Sequence, residues 1–149
     1  MSLRRVIVLR GLSGSGKSTV TKNLVAGEPD AVVVSSDDLF MVDGEYQFDF
    51  DKLNEAHNSC FRDFMAAIEV GAPLIIVDNT NSRALEMAPY MMAGRAYGYE
   101  CGILQLDCDP DIAAERNTHG TPKKVIIAMA ARMKDEPLPP WWKVERLAV

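Results

Sequence analysis

The sequence contains a phosphate-binding loop at residues 11–18, which reads Gly-Leu-Ser-Gly-Ser-Gly-Lys-Ser. Glycines allow the main chain to wrap closely around phosphate oxygens, because they have no Cβ, and backbone N–H groups then point inward. Lys17 is placed to reach the outer phosphates of a nucleotide, and the hydroxyl of Ser18 to hold Mg²⁺. We expect nucleotide contacts from Gly11, Ser13, Gly14, Ser15, Gly16, Lys17, Ser18 and Thr19. A flexible glycine-serine turn is the alternative, but the loop lies between a predicted strand and a predicted helix, as a phosphate-binding loop requires.

Three aspartates follow predicted strands at their carboxyl ends, where ligands bind in open α/β sheets. One of Asp37 and Asp38 is the natural base to take a proton from an acceptor hydroxyl during phosphoryl transfer. Asp78 ends an apolar run and is placed to hold Mg²⁺ directly or through water. The structural alternatives are a turn or capping pair for the first two and a helix cap for Asp78.

Four basic residues, Arg116, His119, Lys123 and Lys124, bracket a glycine-containing loop between two short predicted helices. A basic hairpin of this kind can close over phosphates, exclude water and offset charge in the transition state. Arg116 is the strongest candidate, because a guanidinium matches phosphate oxygens better than an ammonium does. The two lysines are equally compatible with an ordinary solvated surface.

The elements that position these residues alternate between short β-branched runs and amphipathic stretches, which predicts a three-layer α/β/α fold with a parallel sheet of four or five strands. Strands are expected at residues 5–10, 31–35, 74–77, 103–106 and 143–147, with a turn at 43–45. Helices are expected at residues 17–26, 51–68, 82–96, 110–116 and 122–134. A small helical lid at about 116–124 and an extended tail at 135–149 complete one expected domain, 1–149, without internal repeats.

Composition narrows the possible partners and the compartment. The net charge of −5 argues against a broad basic surface for long duplexes, although it leaves room for a small pocket that takes one nucleic-acid end. Three cysteines without metal-ligand spacing indicate reduced thiols in a cytoplasmic protein. The N-terminal apolar run is too short for a signal peptide, and no stretch is long enough to span a membrane.

Several large side chains have a packing interpretation beside a functional one. His57 and the group Met87, Met91 and Met92 lie at helical spacing and are expected in the core. The pair Trp141 and Trp142 either packs the tail onto the domain or stacks a base.

Four motifs in this order resemble the P-loop kinase domain of polynucleotide 5′-hydroxyl kinases. They are residues 11–19, residues 35–38 (Ser-Ser-Asp-Asp), residues 77–81 (Val-Asp-Asn-Thr-Asn), and residues 115–122, which contain Glu-Arg-Asn, His-Gly and Pro. Within that family, which includes the bacteriophage enzyme, the chain is most similar to the kinase-like module of ubiquitin-ligase-binding proteins, which has a tract like residues 43–49. The resemblance extends to about Lys134.

The resemblance implies the fold and site of an ATP- and Mg²⁺-using kinase. It implies that Asp37 is the general base, that Asp78 belongs to the active site, and that Arg116 contacts ATP phosphates. Two positions depart from the family pattern. Phe40 stands where the bacteriophage enzyme has an arginine that holds the acceptor strand, and Thr118 and His119 stand where its lid carries a second arginine.

We therefore expect transfer of the γ-phosphoryl group of ATP to a hydroxyl, first of all the 5′-hydroxyl of a polynucleotide. Asp37, Lys17 and Arg116 are the predicted catalytic residues, and His119 a further nucleotide contact. Asp38, Phe40 and Asp78 are predicted to contact the acceptor, the Phe40 ring by stacking a base. A kinase for a small metabolite or nucleoside-like acceptor is the first alternative, favoured by Phe40 and the acidic composition. A nucleotide-binding interaction module without turnover is the second, and the retention of both Asp37 and Asp78 argues against it.

Overall fold

A computed structural model describes residues 3–149 and has a five-stranded sheet between two layers of helices. Its elements in chain order are β1 (Arg5–Arg10), α1 (Lys17–Gly27), β2 (Val32–Val34), a 3₁₀ helix (Ser36–Phe40), β3 (Met41–Val42), β4 (Glu45–Tyr46), a second 3₁₀ helix (Phe50–Lys52), α2 (Leu53–Glu69), β5 (Leu74–Asp78), α3 (Ala84–Ala96), β6 (Glu100–Asp107), α4 (Pro110–Arg116), α5 (Lys123–Asp135) and β7 (Val144–Ala148). The predicted three-layer α/β fold is confirmed.

The strand order of the sheet brings the functional segments to one edge. The order is β2-β5-β1-β6-β7, and all four pairings are parallel. In the central pairing Leu9 lies opposite Asp78, and in the next one Val34 lies opposite Val77. Because parallel strands end at the same edge, the loop after β1, the end of β5 and the segment after β2 meet there.

The core lies mainly between the sheet and helices α2 and α3. Phe64 on α2 is completely buried and makes a perpendicular ring contact with Tyr90 on α3, at a centroid distance of 5.0 Å. Phe61 stacks on Phe64 at 5.9 Å. These aromatic contacts join α2 to α3 over the same face of the sheet, so they fix the helices that support the carboxyl ends of β2 and β5.

The structure differs from the sequence prediction in the length of one strand and in one hairpin. β6 extends over eight residues, whereas only its central part was predicted. The segment expected as a turn at 43–45 is the tip of a two-stranded hairpin, β3–β4, in which Asp43 and Gly44 have φ values of 52° and 81°. The predicted last strand is confirmed as β7.

Two packing predictions need correction or refinement. Met92 is exposed on α3, because the helix directs only Met87 and Met91 of the three methionines toward the sheet. Trp142 packs against the core, whereas Trp141 is exposed. No helix in the described part of the chain has both the length and the apolar character needed to cross a membrane.

The aromatic contacts give a test of the core. Phe64→Ala should lower the free energy of unfolding by about 3–5 kcal/mol, because it leaves a cavity between α2, α3 and the sheet. Leu85→Ala is the matched control, since Leu85 is 82% exposed, and it should change stability by no more than about 0.5 kcal/mol. Urea unfolding followed by far-UV circular dichroism measures both, and equal losses would contradict this packing.

Candidate active site

The loop between β1 and α1 has the closely wrapped backbone that a phosphate-binding loop requires. Gly14 and Gly16 have φ values of 82° and 101°, in the left-handed region that favours glycine. A Cβ at Gly14 would collide with the carbonyl oxygen of Ala113 on α4 and lie 2.9 Å from the backbone nitrogen of Asn117. The glycine therefore allows α4 to pack directly against the loop.

The ammonium group of Lys17 lies within this loop. Its Nζ donates hydrogen bonds to the carbonyl oxygens of Gly11 and Leu12, at 2.7 and 2.9 Å. Burial lowers the pKa of Lys17, and the negative charges of Asp78 and Asp37 oppose that shift. The lysine is thus held between the loop and two carboxylates, in the place where phosphate oxygens would need a cation.

One buried hydroxyl in the loop is left without a partner. The Oγ of Ser15 is buried and has no hydrogen-bond partner among residues 3–149. A buried polar atom left in this way costs about 1–3 kcal/mol. The Oγ lies against Gly11 within the loop, so the glycine-lined backbone, and not this hydroxyl, fits a loop that surrounds a phosphate group.

A cavity of about 470 Å³ opens beside the loop and collects most of the predicted site residues. The residues that line it are Ser13, Gly14, Gly16, Lys17, Ser18, Thr19, Ser36, Asp37, Asp78, Asn79, Thr80, Arg116, Asn117, Thr118 and His119. Gly11 and Ser15 are buried within the loop, and neither they nor Asp38 and Phe40 line the cavity. The cavity is therefore bounded by the phosphate loop, the ends of β2 and β5, and residues 116–119.

The two residues expected to hold Mg²⁺, Ser18 and Asp78, both line the cavity. The hydroxyl of Thr21 donates to Asp78 at 3.4 Å. Burial raises the pKa of Asp78, while Lys17 and the Thr21 hydroxyl lower it. Among residues 3–149, no three His, Cys, Asp or Glu side chains are grouped to hold a metal ion. Mg²⁺ typically uses only one or two protein carboxylates and takes its other oxygens from water and phosphate, so this pair fits such an ion.

Asp37 and Asp38 have different surroundings although they are adjacent. The carboxylate of Asp37 accepts a hydrogen bond from the Tyr46 hydroxyl at 3.2 Å and lies 3.7 Å from Nδ1 of His119. Asp38 lies outside the cavity. Partial burial raises its pKa most, and the negative charges of Asp63, Asp37 and Asp78 raise it further. Only Asp37 of the two faces the phosphate loop, which is the orientation expected of the base.

The position of Phe40 corrects one sequence prediction. The ring is 2% exposed and contacts Phe48 at a centroid distance of 5.1 Å and Tyr46 at 6.1 Å. It packs against the aromatic rings that follow the β3–β4 hairpin turn, whereas Asp37 lines the cavity. Phe40 therefore has no free ring face on which a base could stack.

The basic residues divide between the cavity and the surface. Arg116, the last residue of α4, and His119 line the cavity. Lys123 forms an exposed ion pair with Asp111 at 3.0 Å, and Lys124 is exposed. Lys123 and Lys124 are therefore better interpreted as ordinary solvated surface residues than as phosphate contacts.

Asn117 orders the loop between α4 and α5, and sequence reasoning missed it. Its side-chain amide donates to the carbonyl oxygen of Thr121 at 2.7 Å and accepts from the backbone N–H of His119 at 3.0 Å. An Asn directly after a helix is a common local capping signal that could have identified it.

A buried arginine joins the phosphate loop to the turn after β5, and sequence reasoning missed it as well. Arg10, at the end of β1, donates to the carbonyl oxygens of Asn81 and Ser82 at 2.9 and 2.7 Å and to Oε1 of Gln105 at 2.9 Å. Asn81 donates in return to the carbonyl oxygen of Leu9 at 2.7 Å. A charged residue that ends an apolar strand directly before the loop was the available signal.

Asn79 joins the ends of β2 and β5 and was also missed as a positioning residue. Its Oδ1 accepts hydrogen bonds from the backbone N–H and the hydroxyl of Ser36, at 2.8 and 3.0 Å. Ser36 precedes Asp37 and Asn79 follows Asp78, so one buried amide sets the distance between the two carboxylates.

Comparisons with known proteins agree with this fold. A family model described as "AAA domain" matches residues 6–134. Human NEDD4-binding protein 2 is 38% identical over 128 residues, which cover 83% of this chain and 7% of that protein. The chain therefore spans only a small part of this relative.

Two solved structures share the fold. A structure of the Pnkp1/Rnl/Hen1 RNA repair complex superposes with a TM-score of 0.72 at 17% identity, over 90% of this chain and 45% of that chain. A gluconokinase from Sinorhizobium meliloti superposes with a TM-score of 0.63 at 16% identity, over 100% of this chain and 85% of the other. At these identities the likeness shows a fold similar to that of P-loop kinases.

The contact between Gly14 and α4 gives a test of the loop. Gly14→Ala should weaken nucleotide binding by at least about tenfold, because the added Cβ displaces the α4 backbone. Gly98→Ala is the control, since Gly98 has a similar φ of 84° and no atom nearer than 3.9 Å to an added Cβ. It should cost about 1–2 kcal/mol of stability from backbone strain and leave nucleotide affinity unchanged. Calorimetric titration distinguishes them, and equal affinities in the two variants would contradict the packing of α4 on the loop.

Proposed function

The chain belongs to the AAA-domain family, and from that premise we propose that it is an ATP-dependent phosphotransferase that moves the γ-phosphoryl group of ATP to a hydroxyl. The observation that carries the proposal is the meeting of Lys17, Asp37 and Asp78 in one cavity beside the phosphate loop. A site that only bound a nucleotide would need the cation and the loop, but it would have no use for a base.

Each residue has a role that follows from its chemistry. Lys17 and Arg116 supply positive charge to phosphate oxygens, and the backbone N–H groups of the loop orient them. Ser18 and Asp78 would hold Mg²⁺, which when bound neutralises charge on the phosphate oxygens. Asp37 accepts the proton of the acceptor hydroxyl. The hydroxyl oxygen then bonds to the γ-phosphorus, and the bond between the γ-phosphorus and the bridging β-phosphate oxygen breaks, which leaves ADP.

Two classes of acceptor remain candidates for this reaction. The resemblance to polynucleotide 5′-hydroxyl kinases supports a nucleic-acid end, and the fold likeness to the Pnkp1 complex agrees with it. The charges support a small, uncharged hydroxyl compound instead. Two carboxylates, Asp37 and Asp78, line the cavity in which the acceptor would bind. These carboxylates repel the phosphates of a strand, which supports the small acceptor.

The role of the base is tested by Asp37→Asn. The amide cannot take the proton, so kcat should fall by about 10²–10⁴-fold while the Kd for ATP changes little. Asp38→Asn is the matched control and should retain most of the activity, because Asp38 lies outside the cavity. Transfer of labelled γ-phosphate measures kcat, and calorimetry measures ATP binding. Equal, small losses in both variants would mean that the aspartate pair is structural, whereas ATP binding without transfer to any acceptor would favour the non-catalytic interaction module.

The acceptor is tested with 5′-hydroxyl DNA and RNA oligonucleotides beside a panel of sugars, polyols and nucleosides. A small acceptor should show a kcat/KM at least about tenfold above that of either oligonucleotide. Oligonucleotide binding should weaken only mildly between 50 and 200 mM salt, about tenfold or less, because few phosphates are neutralised. Faster transfer to an oligonucleotide, together with a steep salt dependence, would assign the polynucleotide end instead.

A further inference from the structure

Three segments that are separate in sequence converge on the carboxylate of Asp37. They are the 3₁₀ helix that carries Asp37, the β3–β4 hairpin that carries Tyr46, and the loop after α4 that carries His119. The Tyr46 ring stacks on the His119 imidazole with a centroid distance of 4.3 Å and an interplanar angle of 16°. Both side chains also reach Asp37, through the hydroxyl at 3.2 Å and through Nδ1 at 3.7 Å.

We propose that Tyr46 and His119 form a clasp, in which Tyr46 positions the Asp37 carboxylate and the stacked pair holds residues 117–122 over the nucleotide cavity. This inference rests on the proposed phosphotransfer, because it assigns Tyr46 as a positioning residue for the base. It also couples closure of the cavity to orientation of the base.

The two oxygens of Asp37 are distinguished by their contacts. Oδ1 is bound by the Tyr46 hydroxyl, whereas Oδ2 faces His119 at 3.7 Å, which is too long for a hydrogen bond. Oδ2 therefore keeps lone pairs for an acceptor hydroxyl while the bond to Oδ1 fixes the rotamer. Burial, then the charge of Asp37 and the bond to it, raise the pKa of Tyr46 to about 12, so its hydroxyl remains a donor at neutral pH.

The hairpin end of the clasp is anchored below the site. The backbone N–H of Gln47 donates to the carbonyl oxygen of Phe40 at 2.7 Å, and the buried Phe40 ring contacts both Tyr46 and Phe48. Phe40 thus supports the residue that contacts the base, although it cannot contact an acceptor itself.

The loop end of the clasp is ordered independently of Tyr46. Asn117 accepts from the backbone N–H of His119 and donates to the carbonyl oxygen of Thr121. These bonds stiffen residues 117–121, so stacking of the single imidazole on Tyr46 is enough to hold the segment beside the cavity.

The experiment separates the two functions of the clasp in the full chain. Tyr46→Phe keeps the ring and removes the hydroxyl, so kcat should fall about tenfold. Its KM for ATP and its rate of release of a fluorescent ATP analogue should stay within about twofold. Tyr46→Ala and His119→Ala remove the stack, and each should speed analogue release about fivefold. Because the two rings act through one contact, the double variant should release the analogue no faster than either single variant.

Matched controls isolate these contacts from general effects. Tyr97→Phe alters an exposed tyrosine at the end of α3, and His57→Ala alters the other histidine of the chain, on α2. Both should leave kcat and analogue release unchanged.

Wild-type kcat in Tyr46→Phe, or additive effects on release in the double variant, would overturn the clasp. If no acceptor is phosphorylated, release of the analogue still tests the clasp while the proposed function fails. If Asp37→Asn abolishes transfer and the clasp variants behave as wild type, the function stands and the clasp does not.

Discussion

The rest of the site depends on the hydrogen bonding of one buried guanidinium, that of Arg10. The side chain is 2% exposed, and burial lowers its pKa while Glu136 and Glu86 oppose the shift. A guanidinium remains charged, so burial is tolerated only when its donors are bonded. Its partners come from the turn after β5 and from β6, and the backbone N–H of Gly11 also donates to the carbonyl oxygen of Thr80. Satisfying one charge therefore fixes the start of the phosphate loop against the turn that follows Asp78.

The buried side-chain amide of Asn79 fixes the segments that follow the strands at the site. The parallel register places β1, β5 and β2 with their carboxyl ends together, but it leaves the directions of the connecting segments free. Asn79 removes that freedom because its side chain accepts hydrogen bonds from Ser36. The backbone segments that carry Asp37 and Asp78 are therefore held together. Burial and charge attraction act in opposite directions on Lys17 and Asp78. Burial lowers the pKa of Lys17 and raises that of Asp78, while their mutual attraction counters both shifts.

The sequence was sufficient to predict the layers, the strands of the five-stranded sheet and the phosphate loop, because hydrophobic period, glycine spacing and strand-end aspartates are local signals. The supports of the site are not local. Arg10 and Gln105 are neighbours only through the pairing of β1 with β6, and Tyr46 meets His119 across 73 positions of sequence. Phe40 was misinterpreted for a related reason. Asp37 on the same 3₁₀ helix lines the cavity, but the Phe40 ring packs against Phe48, a contact that residue spacing does not reveal.

One side of the cavity presents backbone groups and the other presents side chains. This difference explains why the acceptor is harder to infer than the nucleotide. The phosphate side uses backbone groups of a loop between a strand and a helix, and such groups recognise phosphate whatever the neighbouring side chains are. The proposed acceptor side is formed by Asp37 on a 3₁₀ helix of five residues, which is supported by a hairpin with two residues in each strand. Substitutions there change charge and shape without disturbing the sheet. A fold shared with kinases for different acceptors therefore constrains the proposed nucleotide site, while an acceptor would depend on the side chains around Asp37, such as Tyr46 and His119.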